Sequence, residues 1–183
     1  MAEASAGGLR PEREKLGLLP PRPDSDELPK PGPASRRPAD LWLPRGTEGR
    51  GQALDFAVTS AMRGDLFRRM SDTPEAALSA YEKKKREFLD TASLCDAAGF
   101  TFEPMIFEAH SGAWSTAARA VFDWMAHQAA VTLRESAHVS CLRLAQRISV
   151  TLHRENARAV LRRVPVVDSG VLTSAWALAG PWL

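Results

Sequence analysis

Three short runs rich in apolar, aromatic and β-branched residues stand out from a polar background. The first, Leu41-Trp42-Leu43, follows Pro38-Ala39-Asp40. The second, Ala53-Leu54-Asp55-Phe56-Ala57-Val58-Thr59, comes after a turn through Gly46, Gly49 and Gly51. This pattern predicts strands near 38–43 and 53–59 joined as a hairpin. Phe100 to Ala109 predicts a third strand over 101–108, with Pro104 marking its edge, a bulge or its start.

The other apolar residues recur at helical spacing. Thr73-Pro74-Glu75 supplies a capping hydroxyl, a proline suited to the first helical position and an acid that complements the helix dipole. A helix is expected from there to about Ala98, stopping at Gly99, with Leu78, Tyr81, Phe88, Ala92 and Cys95 on its buried face. A second helix after Gly112 groups Trp114, Ala118, Val121, Phe122 and Met125. A third, from about Ala137 to Arg163, groups Cys141, Leu144, Ala145, Ile148, Leu152 and Ala159. The expected fold class is therefore α/β, a small mixed sheet covered by three helices.

Residues 1–36 hold seven prolines, which predicts a disordered or extended Pro-rich N-terminus. Within it, Leu16-Gly17-Leu18-Leu19 is the stretch suited to dock on the body. Arg63 to Met70 reads as a loop or short helix. Residues 164–183 form a mostly apolar C-terminal tail, either a docked helix or an unstructured end. The expected division is thus 1–36, a domain over 37–163, and the tail.

At 183 residues the chain has room for one domain with a sizeable core. A composition of 44% hydrophobic and 25% charged residues is ordinary for a globular protein. A net charge of +2 excludes gripping nucleic acid through overall field alone, so local charge has to carry any such role. Cys95 and Cys141 form no CxxC pair and no disulfide framework, and each falls in a helical pattern among apolar neighbours. No basic-then-apolar leader opens the chain, and no window approaches the roughly 20 apolar residues of a membrane span. An intracellular setting, nucleus or cytoplasm, is expected.

Asp40 and Asp55 are unusual in apolar strands, because burying an unpaired carboxylate costs several kcal/mol, on the order of the net stability of a small domain. A cation is expected beside them: a lysine, an arginine or a metal ion. A hairpin with 14 residues between the two acids brings both within reach of one ion. Two carboxylates make a hard oxygen site suited to Mg²⁺, or Mn²⁺, which activates water and neutralises charge on a phosphodiester. A lysine would complete the set. In Lys83-Lys84-Lys85-Arg86, Lys84 and Lys85 flank the apolar stripe, and Lys85 is assigned the catalytic role with Lys84 as its competitor. Glu108 is either a third acid or, more in keeping with its position, a structural group at a strand end. On the third helix, Arg143, Arg147, Arg154 and Arg158 share a narrow sector that either contacts phosphates or forms a polar outer face. His110, His127, His138 and His153 have no metal-ligand spacing.

Pro38-Ala39-Asp40, then Asp55 within Ala53 to Ser60, then a lysine on the following helix, resembles the restriction-like endonuclease domain downstream of the reverse transcriptase in certain non-LTR retrotransposons. That domain is a branch of the PD-(D/E)XK nucleases. Phe102 to Glu108 running into Gly112-Ala113-Trp114, and His153-Arg154-Glu155-Asn156-Ala157-Arg158, are also similar to stretches of such open reading frames. The resemblance spans roughly residues 37–163 and implies a restriction-endonuclease-like core that nicks DNA with Mg²⁺. It implies Asp40 and Asp55 as metal ligands, Lys85 as the catalytic lysine and a reverse transcriptase encoded elsewhere as a partner. The sequence departs from the wider superfamily in two ways. Ala57 stands where a lysine would follow the second acid by two positions, and the helix that would precede the first acid has no counterpart within residues 1–36. The alternatives are a catalytically inactive nucleic-acid-binding remnant and a helical protein-interaction domain.

Overall fold

A computed structural model describes residues 2–19, 38–60 and 75–162. Among these residues four strands form one sheet in the order β1-β2-β3-β4: Glu12–Arg13, Leu41–Leu43, Gln52–Thr59 and Thr101–Glu108. The first three pair antiparallel, and β3 and β4 run parallel. Among the described residues five α-helices accompany them: α1 (Ala2–Ala6), α2 (Ala76–Glu87), α3 (Thr91–Ala97), α4 (Thr116–Leu133) and α5 (Ala137–Leu161). The mixed α/β class expected from the pattern is what the chain adopts.

The β2–β3 hairpin follows from its glycines. Gly49 has φ +75°, a conformation that favours glycine, and a Cβ on Gly51 would lie 2.1 Å from the Trp42 ring. The hairpin pairs Leu41 with Leu54, Trp42 with Ala53 and Leu43 with Gln52. Parallel pairing of β3 with β4 needs a long crossover, and α2 and α3 lie within it. Pro104 sits opposite Asp55 inside β4.

Alternation along the strands separates two cores. Leu41, Leu43, Leu54, Met105 and Phe107 join Val121, Phe122 and Met125 of α4 and Leu144 and Leu152 of α5. Ala53, Phe100 and Phe102 join Cys95 of α3 on the other face, with Trp42 packed against them. Ser115 and Ser136 cap α4 and α5, each accepting a backbone N–H through its hydroxyl.

Several expectations change. The single helix expected to reach Ala98 breaks at a 3₁₀ turn, Phe88–Asp90, where Leu89 and Asp90 have φ +52° and +53°. The break turns Phe88 outward, to 58% exposure, so the proposed continuous apolar face ends before it. Gly99, at φ +85°, stops the second piece as its position suggests. The buried stripe of α5 holds at Leu144 and Leu152, but Ala159 is exposed. The Pro-rich lead-in expected over 1–36 holds regular structure where it is described: α1 packs its buried Ala4 in the main core, and β1 extends the sheet. Leu19 is buried and Leu18 packs beside it, so that part of the lead-in docks. The Thr73-Pro74 cap, the Arg63–Met70 stretch, the tail 164–183 and half of the lead-in lie outside the described residues. No helix among the described residues is long and apolar enough to cross a membrane.

Candidate active site

Asp40 and Asp55 meet because of the hairpin. Asp40 stands immediately before β2, where its carbonyl accepts the Glu14 N–H at 2.9 Å. Its carboxylate Oδ2 accepts the Phe56 N–H at 2.8 Å, which holds the side chain against β3 one residue from Asp55. Asp55 lies at the middle of β3 on the face shared with Ala53, toward α2. There the Lys85 ammonium reaches its Oδ2 at 2.7 Å, with side-chain exposures of 30% for the lysine and 18% for the acid. Lys84, its competitor, is exposed.

The electrostatics link all three groups. Burial pushes the Asp55 carboxyl above its ordinary range, the Lys85 hydrogen bond and charge pull it back, and the charge of Asp40 adds to the rise. Burial disfavours charge on Lys85, but the bond to Asp55 outweighs it, and the net shift is upward, with Tyr81 and Asp40 also contributing. Tyr81 occupies α2 one turn before Lys85, on the same side of the helix, and is half-buried. Sequence inspection placed it among core residues. The signal that identifies it as a neighbour of the site is its i, i+4 spacing from Lys85.

The donor chemistry suits a hard divalent cation. Asp40 and Asp55 each have one oxygen engaged as described, which among the described residues leaves two anionic oxygens for an ion that keeps most of its waters, as Mg²⁺ does with one or two carboxylates. The mutual charge effect of the two acids is a repulsion that such an ion would relieve. Among the described residues no group of three or more His, Cys, Asp and Glu side chains is arranged to hold a metal, so the site has two acids and no third.

Glu108 is not that third acid. It is 3% exposed, and its Oε2 accepts the His110 N–H at 2.8 Å, the Ser111 N–H at 2.5 Å and the Ser111 hydroxyl at 2.8 Å. It ties down the turn after β4. The arginine sector does not converge on the acids either. Arg143 is bound to Glu135, whose carboxyl is held below its ordinary range by hydrogen bonds from Arg143 and Ser140. Arg158 pairs with Glu155 at 2.6 Å. Arg147 and Arg154 line a cleft with Phe56 and Val58, whose side chains leave β3 on the face opposite Asp55.

Comparison of the chain with family models, curated proteins and solved structures returns no significant match.

Proposed function

We propose that the chain is a metal-dependent DNA endonuclease domain of restriction-like type, derived from a retrotransposon, that nicks phosphodiesters with Mg²⁺ or Mn²⁺. Asp40 and Asp55 would hold the ion. The ion would supply Lewis-acid stabilisation of the phosphodiester and a more acidic bound water. Lys85, already cationic beside the acids, would orient the attacking water or neutralise charge developing on phosphate. The Phe56 N–H positions Asp40. Arg147 and Arg154 would add salt-sensitive phosphate contacts away from the reacting atoms.

One observation carries this reading: an acid before β2, an acid in β3 and a lysine on the next helix, far apart in sequence, occupy one electrostatically coupled cluster. The strand order, with a hairpin followed by a parallel strand reached through helices, suits the same class. Purified protein is expected to convert supercoiled plasmid to the nicked form with Mg²⁺ or Mn²⁺, and Asp55→Asn to abolish this. Equal activity in the variant, or none in the wild type, overturns the proposal. A second reading is DNA binding without cleavage, through Arg147 and Arg154, which line a cleft on the face away from Asp55. That alternative predicts salt-sensitive binding unaffected by metal or by Asp40→Ala.

A further inference from the structure

A cavity of about 370 Å³ opens where α4 and α5 meet the segment Gly112-Ala113-Trp114, within the size range of small-ligand sites. Its apolar lining includes Trp114, half-buried, and Leu142, 49% exposed. Trp114 packs edge-on against Phe122 with ring centroids 5.2 Å apart, so the indole is held in place while part of its surface stays open to a ligand ring. Three ionisable side chains line the same space: Arg119 and Asp123 from α4 and His138 from α5. Arg119 and Asp123 stand one helical turn apart, a spacing at which opposite charges can pair. Among the described residues, however, none of the three side chains has a hydrogen-bonded or ion-paired partner. Burial, and then the charge of Asp123, raise the Cys141 thiol on α5 above its ordinary value, so the Asp123 carboxylate acts across the gap between the helices.

A few polar groups converging on a largely apolar, concave surface is the pattern of a small-ligand site rather than of a solvated helix face. The residue types select the ligand. A planar heteroaromatic ring matches Trp114, N–H donors on its edge match the Asp123 carboxylate, and an anionic group matches Arg119, whose guanidinium binds phosphate as a fork. Arg119 and Asp123 are about 6 Å apart along α4 at 1.5 Å per residue, which suits a ligand whose anion and donors lie at separate ends, as phosphate and base do in a nucleotide. Among the bases, guanine presents a ring N–H and an adjacent amine that one carboxylate can accept together.

We propose that the cavity between α4 and α5 binds a guanine mononucleotide, with the base beside Trp114 and against Asp123 and the phosphate on Arg119. Binding there requires neither Asp40 nor Asp55 and no metal ion. Isothermal titration of the full chain with guanosine monophosphate, in EDTA so that no metal takes part, tests it. One saturable site per chain is expected. Guanosine, which lacks the phosphate, and inosine monophosphate, which lacks the exocyclic amine, are each expected to bind about tenfold or more weakly. Arg119→Met should erase the difference between guanosine monophosphate and guanosine, and Asp123→Ala the difference between the two monophosphates. Both positions are exposed on α4, so the fold is retained. Alkylation of the half-buried Cys141 by iodoacetamide, followed by peptide mass spectrometry, is expected to slow severalfold at saturating nucleotide. No saturable binding by the folded wild type up to millimolar nucleotide overturns the proposal. So does binding that both variants leave unchanged, or binding that does not alter Cys141 alkylation.

Discussion

Adjacent residues on α2 each send a cation to the sheet, and their surroundings differ. Arg86 is enclosed by partners: it bonds Glu103 of β4, donates to the Phe102 carbonyl at 3.1 Å and contacts Glu82 at 3.2 Å. Lys85 bonds Asp55 of β3 at 2.7 Å, and Asp40 adds a second negative charge. The planar guanidinium has its donors distributed over several fixed acceptors, as suits a structural clamp. The ammonium is a compact point charge beside two carboxylates that, among the described residues, each retain an unused oxygen. Two ion pairs, one residue apart, thus separate into one that fastens a helix to a sheet and one that brings a lysine beside two acids.

The comparison breaks most sharply in activity. Lys85→Met is expected to lower plasmid nicking about 100-fold or more, the usual scale for losing a charge that acts in the transition state. Arg86→Met should leave the rate within a few fold at a temperature where the protein is folded. Equal losses in the two variants would erase the distinction. Mg²⁺ tests it next: thermal melting of the wild type should shift upward with added ion, by an amount that grows with concentration, and Asp40→Ala should not respond. In stability the order reverses. Arg86→Met leaves Glu103 half-buried without its cation and is expected to cost about 1 kcal/mol in urea unfolding, a value kept low because the arginine is partly exposed.

The smallest effect lies in pH dependence. Burial raises the Glu103 carboxyl above its ordinary value of 4.5, against the pull of Arg86. The folded chain therefore holds that proton more tightly than the unfolded one. Its contribution to stability is present below 4.5 and is lost as pH rises through the raised folded value. Glu103→Gln is expected to remove this decline, whose slope for one proton is at most about 1.4 kcal/mol per pH unit. A variant with an unchanged stability–pH curve between acid and neutral pH would count against a raised Glu103.

The meeting of Asp40, Asp55 and Lys85 was legible in the sequence because Asp55 and Lys85 sit in regular elements and Asp40 directly precedes one. Two strand-like runs joined by glycines place Asp40 and Asp55 side by side, and helical geometry narrows the lysines to Lys84 and Lys85. The break in α2 was not legible. Nothing in Phe88-Leu89-Asp90 excludes a helix, yet Leu89 and Asp90 take left-handed backbone conformations there. Helix α1 and strand β1 were missed for a related reason: prolines dominate residues 1–36, while Ala4 and Leu19 are held by distant core partners that no local pattern encodes. Glu108 is the structural strand-end group that its position suggested, whereas the partner of Arg143, Glu135, comes from just before α5, which periodicity does not register.

Calorimetric titration with Mn²⁺ tests most directly whether Asp40 and Asp55 together make a cation site. The wild type is expected to bind one ion per chain, and Asp40→Ala and Asp55→Asn each to abolish the heat of binding while keeping the wild-type circular dichroism. No binding by the folded wild type, or binding that either variant leaves intact, would contradict the assignment.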